Sequence, residues 1–132
     1  MNPLDNPDMY ETVQVFTYTT PSGHTFQWRI TDILRYIEKL GIKPNTTVSV
    51  ADMKMLLENN LATAELDKET INKADLGNPL LIVELPSHVW DNNGGRHLVI
   101  DGWHRMSKAV AEGKELAGFL LPLSVSNMFR TR

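Results

Sequence analysis

The hydrophobic positions of this chain change period several times, and each change marks an element. From Thr12 to Thr20 the sequence TVQVFTYTT alternates and is dense in β-branched and aromatic side chains, which predicts a strand. Pro21-Ser22-Gly23-His24 is turn chemistry, and Thr25 to Arg29 predicts a return strand with Phe26 and Trp28 on one face, completing a hairpin. His24, at the tip, reads as a polar loop residue. The period then becomes helical. Ile30, Ile33, Leu34, Ile37 and Leu40 predict a helix over Thr31 to Leu40, with Thr31 as its cap and Gly41 as its stop. Ile42 to Thr47 reads as a loop. Ser49 and Asp52 have the spacing of a capping box. Val50, Met53, Leu56 and Leu57 then predict a second amphipathic helix that fades at Asn59-Asn60. Met53 and Met55 read together as core filler.

The middle of the chain is less regular. Asp67 is placed to cap a short helix over Lys68 to Lys73, with Ile71 as its apolar anchor and Leu76-Gly77-Asn78-Pro79 ending it. Leu80 to Leu85 (LLIVEL) is a nearly continuous apolar run, the pattern of a strand buried on both faces, and Pro86 closes it. His88-Val89-Trp90 reads as a short strand, Asp91-Asn92-Asn93-Gly94-Gly95 as a turn, and Arg96 to Ile100 as the return. After a sharp Asp101-Gly102 turn, Met106, Ala109 and Val110 stand at helical spacing as far as Gly113. Ala117 to Leu121 predicts another buried strand, and Ser124 to Arg132 is too short to be a domain. No repeat or linker interrupts the pattern. The order of hairpin, two helices, short helix, strand, hairpin, helix and strand predicts a single α+β domain with a mixed sheet over residues 12–132, behind a flexible leader at residues 1–11.

Composition narrows the class. A chain of 132 residues with 42% hydrophobic and 22% charged residues suits one globular domain. With no cysteine, disulfides, thiolate metal sites and cysteine nucleophiles are excluded, and the four histidines lack the H-x-x-x-H spacing that zinc favours. No apolar run approaches the length of a membrane span, and the polar N-terminus does not resemble a secretory signal, so a cytoplasmic location is expected. The net charge of −3 does not by itself favour nucleic acid. Its distribution is uneven. From Arg96 onward six basic residues stand against three acidic ones, a local +3 that leaves −6 for the remainder.

The basic end also carries the candidate chemistry. In HLVIDGWHRMSKAVAEG, from His97 to Gly113, a buried strand turns at Asp101-Gly102 into a helix. Such a junction exposes backbone N–H groups at the positive end of the helix. His104 and Arg105 stand at that point. An imidazole, a guanidinium and free amides suit an anionic ligand, most often a phosphate. Arg105 can bind a phosphate bidentately, and His104 can donate to it or transfer a proton. Gly102 allows a close backbone approach. Asp101 can accept a proton or hold Mg²⁺ through water, or simply cap the helix through the amide of Trp103 or His104. Trp103 can stack on a base or pack in the core.

DGWHR, set between the LVI strand and the MSKAVAEG helix and followed by AGFLLP, resembles the central motif of the ParB/sulfiredoxin superfamily. Asn78-Pro79 before LLIVEL is similar to that family's upstream strand, so the likeness spans about residues 66–122. The resemblance implies a β-α-β core in the C-terminal half, with nucleotide phosphates on Gly102, His104 and Arg105. It does not settle the reaction; with the residue chemistry above, the expectation is binding of a nucleotide such as ATP or CTP with Mg²⁺, and hydrolysis or phosphoryl transfer for which His104 and Asp101 are the catalytic candidates. Family departures limit the reaction. Sulfinic-acid reduction needs a cysteine in the box, and none exists here. Kinase members need a further upstream acid, for which Glu84 and Asp75 are available but match no motif. Partition members carry a helix-turn-helix domain after the box, whereas only 27 residues follow Arg105. The alternative is a non-catalytic module, phage- or plasmid-encoded, that keeps the fold and binds nucleic acid or protein.

Overall fold

The computed structural model describes residues 14–20, 23–59, 68–87 and 97–132. The proposed leader, the start of the first strand at Thr12-Val13, Pro21-Ser22, the Asp67 cap and the whole stretch from His88 to Arg96 lie outside the described residues.

The first hairpin pairs β1 (Val15–Thr19) with β2 (Thr25–Arg29) antiparallel, Thr17 opposite Gln27. As the alternation requires, Phe26 and Trp28 point inward and stack, their ring centroids 5.7 Å apart. Helix α1 (Ile30–Leu40) follows without a loop. Ile30, Ile33 and Ile37 are buried, while Leu34 and Leu40 are exposed at the margins of the apolar stripe. Thr31 does not cap it. The helix begins one residue earlier than expected, and the Thr31 hydroxyl instead accepts from the Gln14 N–H at 2.8 Å, tying α1 to the hairpin. Asp32 supplies the first-turn acid and pairs with Arg29 at 2.9 Å. Gly41, at φ 63°, ends the helix, and the Ile42 N–H returns to the Ile37 carbonyl at 3.0 Å.

The segment read as a loop contains a strand, β3 (Thr46–Val48). Three β-branched residues in succession favour the extended chain, and pairing with Leu116–Gly118 fixes it. Helix α2 (Val50–Asn59) starts with the expected cap, the Ser49 hydroxyl accepting from the Asp52 N–H at 3.1 Å. Met53 is fully buried, but Met55, two residues on and on another side of the helix, is 53% exposed and fills no core. Helix α3 (Lys68–Lys73) has no buried residue, and Ile71 is half-buried.

The main sheet is built from β4 (Leu80–Glu84), β5 (His97–Asp101) and β6 (Leu116–Leu121) together with β3, in the order β3-β6-β4-β5. β4 is antiparallel to β5 and parallel to β6, so the sheet is mixed. Helix α4 (Trp103–Glu112) carries the chain over β4, from one flanking strand to the other. A short helix α5 (Leu123–Ser126) and a 3₁₀ turn (Asn127–Phe129) follow. The chain then returns to the hairpin, where Arg130 bridges Trp28 and the Thr131 N–H donates to the Gln27 carbonyl at 2.8 Å.

The apolar run of β4 is buried on both sides. Leu81, Val83 and Leu85 join Leu98, Ile100 and Leu121 in a core shared with Phe26, Trp28 and α1. Leu80 and Ile82 join Val99, Leu116 and Met53 in a second core, under Trp103, Met106 and Ala109 of α4. The result is a single α+β domain of three layers. The hairpin and α1 lie on one face of the sheet, and α2 and α4 on the other. The second layer boundary positions the strand-to-helix junction of interest.

Candidate functional site at the start of helix α4

Asp101 is the last residue of β5 and pairs with Leu81, so the turn that follows stands beside the start of β4. Gly102 makes the turn at φ 111° and ψ 16°, in the left-handed half of the map that favours glycine. It is also hemmed in. A Cβ there would overlap the Leu80 side chain and lie 2.9 Å from Nη2 of Arg105. The helix then starts at once, the Met106 N–H bonding the Gly102 carbonyl at 2.9 Å.

The next residues divide between inside and surface. Trp103 is 5% exposed, and its indole N–H donates to the Val99 carbonyl at 2.8 Å. Its ring belongs to the second core, so it offers no open face on which a base could stack. Helical spacing of Trp103 with Met106 and Ala109 already carried that signal. His104 is half-buried in the first turn. Arg105 folds back over Gly102. Its Nη2 donates to the Pro79 carbonyl at 3.1 Å and to Oδ2 of Asp101 at 3.3 Å. The two side chains of this ion pair are only 16% and 19% exposed. The Nε of Arg105 is buried with no hydrogen-bond partner among the described residues.

One expectation changes with this geometry. Asp101 belongs to the strand rather than the N-cap position, and Gly102 in that position has no side chain to donate a cap. The Asp101 carboxylate instead faces Arg105, one helical turn ahead. Arg105, in turn, is not an extended arm but a strut between β5, α4 and the loop that enters β4. The Asp101 carboxylate offsets the charge that Arg105 brings to the helix terminus.

The surrounding electrostatics distinguish this helix from the three that precede it. Helices α1, α2 and α3 carry Asp32, Asp52 and Glu69 in their first turns, the usual complement to the helix dipole. The first turn of α4 has no acid and holds His104 and Arg105. Backbone N–H groups there have no acceptor within the helix.

Other residues fall elsewhere. Glu84 sits at the far end of β4 from the box, where its Oε2 accepts from the Leu123 N–H at 3.3 Å. Asp75 closes a local turn by accepting from the Gly77 N–H at 2.8 Å. Neither is brought to the box as a base. Lys108, one turn beyond His104, went unremarked in the sequence. It donates to the carbonyls of Asn72 and Ala74 at 3.1 and 2.8 Å and so secures the end of α3. Nothing in a lone exposed-type lysine announces such a role. A separate cleft of about 320 Å³ opens between α2 and the sheet, floored by Ile82, Val99 and Leu120, with Asp52 and His97 among its polar lining. Among the described residues no three His, Asp or Glu side chains converge as a metal-binding group, and no helix is long and apolar enough to cross a membrane.

Searches against models of known protein families, curated proteins and solved structures gave no match.

Proposed function

We propose that this chain is a phosphate-binding domain that takes a nucleotide, such as ATP or CTP, or another phosphate ester on the first turn of α4. The observation that carries the reading is a ten-residue helix whose start has a glycine in place of a capping side chain, no acid in its first turn, and His104 and Arg105 in that turn. The helix dipole and the first-turn amides act with one sign, which is the arrangement an anion stabilises, while Arg105 is paired with Asp101 beneath them. The roles follow from the contacts. Gly102 makes the turn that starts the helix, and the first-turn amides and His104 donate to the phosphate. Arg105, its charge offset by Asp101, holds the junction rigid through Asp101 and Pro79. The similarity of DGWHR to the ParB/sulfiredoxin box supports the same assignment. One carboxylate already engaged by an arginine is a poor magnesium site by itself, so any Mg²⁺ arrives with the nucleotide. Neither Glu84 nor Asp75 stands at the box, so hydrolysis or transfer would rest on His104 and Asp101, and the proposal is of binding.

A second reading is favoured by a different observation. Trp103, Arg105 and Lys108 all spend polar atoms on their own chain. On this reading the box is a fold staple, and the domain is a non-catalytic module for nucleic acid or protein.

Calorimetry and thermal-shift titration with inorganic phosphate, ATP, CTP and GTP, with and without Mg²⁺, separate the two. His104→Glu sharpens the test, because an acid in the first turn complements the dipole and keeps the helix stable. The expected outcome is stabilisation of the unmodified protein by at least one of these ligands, and loss of that response in folded His104→Glu. No response to any of them leaves the module reading.

A further inference from the structure

We propose that β1 is a self-association edge, through which two copies of this chain pair antiparallel into a continuous four-stranded sheet. The two-stranded sheet has two outer edges, and they are treated differently. Beside β2 run the C-terminal residues, with Arg130 bridging Trp28 and Thr131 bonding Gln27. Beside β1, among the described residues, nothing pairs. The hydrogen-bond phase shows which groups this leaves. The Gln14 carbonyl accepts from Ile30 at 2.9 Å, and the Thr20 N–H donates to His24 at 2.8 Å. In an antiparallel ladder the even-numbered residues therefore face β2, and Val15, Thr17 and Thr19 aim N–H and C=O at the outer edge. All three are exposed, Val15 at 48%.

Edges of this kind are normally blunted by charge, proline or shortness. The edge strand β3 shows that protection, being three residues long and preceded by Lys43-Pro44. β1 shows none of it. From Thr12 to Thr20 there is no charged residue, no proline and no glycine.

The strand is also complementary to itself. A two-fold axis at Thr17 sets Val15 opposite the partner's Thr19, Phe16 opposite the partner's Tyr18, and Thr17 opposite the partner's Thr17. Each is a favourable cross-strand pair, and none opposes like charges. The three outward-facing residues of each strand would then exchange their N–H and C=O groups in full. Phe16 and Tyr18, half-buried in one copy, would cover one another across the axis. A lone two-stranded sheet is marginal, and two further strands would extend it over the same core. The occupant is thus a second copy, held by backbone pairing in a small and reversible interface.

Sedimentation of the full chain over a wide concentration range tests this. The unmodified protein is expected to dimerise reversibly. Thr17→Lys and Thr17→Glu each place like charges across the axis at an exposed position, and each is expected to weaken the dimer roughly tenfold. An equimolar mixture of the two variants is expected to recover it as a heterodimer. Thermal melts check that each variant is folded, and the mixture guards against a trivial loss of structure. A protein that stays monomeric at every concentration overturns the proposal. So does a dimer that both variants retain, or one that the mixture fails to restore.

Discussion

Replacing Gly102 by alanine tests how tightly the strand-to-helix junction is built. Two costs arise from separate causes. The backbone at φ 111° lies where side chains rarely sit, and holding a non-glycine residue in such a region costs about 1–3 kcal/mol. The new methyl would also overlap Leu80, which is fully buried, and press on Nη2 of Arg105, whose position is fixed by Pro79 and Asp101. Overpacking of that kind costs about 1–3 kcal/mol more. Together they approach about 2–6 kcal/mol, a large part of the roughly 5–15 kcal/mol that holds a domain folded. At roughly 3–5 °C per kcal/mol for a chain of this size, the melting temperature should fall by about 6–30 °C. Gly113 supplies the control. It has φ 69°, but nothing lies within 4 Å of a Cβ built there. Gly113→Ala should therefore show the backbone cost alone, about 1–2 kcal/mol. Urea denaturation of both variants, at constant slope, measures the difference. If Gly102→Ala costs no more than Gly113→Ala, the crowding by Leu80 and Arg105 has been misjudged.

Two further changes report on the box. Trp103→Phe keeps an aromatic ring in the second core but removes the N–H bonded to Val99, and should destabilise by about 1–3 kcal/mol in chemical denaturation. Lys108→Met keeps the apolar stem and loses both carbonyl contacts. Amide exchange in Lys68–Lys73 should accelerate while that of β4 is unchanged, and equal acceleration of both would mean that Lys108 acts on the whole domain.

Strong periodicity made most of the fold legible. The helix at Ile30–Leu40 and the doubly buried β4 follow from apolar spacing alone, because each pattern has one way to hide its side chains. β3 escaped because three residues are too few for a period, and its pairing partner Leu116–Gly118 lies far along the chain. Met55 misled because methionine is equally at home in a core or at its margin, and only the helical phase set by Met53 decides between them. At the candidate site the strand, turn and helix were legible, and so was the core alternative for Trp103. The course of Arg105 was not. Its partners are Asp101, four residues away, and the Pro79 carbonyl, twenty-six residues away, and a backbone oxygen carries no sequence signature.

That course bears on how a box of this type can work. A guanidinium fully extended into solvent would lose much conformational freedom on meeting a phosphate. Arg105 has already lost it, held between Asp101 and Pro79 above a glycine that has no side chain to push it away. The cost of ordering is therefore met in folding, through an ion pair that is largely shielded from water. The same contact reduces the net charge presented to a ligand, so tight binding through Arg105 alone is not to be expected. What remains is a helix start whose first-turn amides have no acceptor within the helix. The structural and the ligand-binding demands on DGWHR thus fall on different atoms. Asp101, Trp103 and Nη2 of Arg105 serve the fold, while the backbone of the first turn and the His104 ring are the groups on which phosphate recognition would rest.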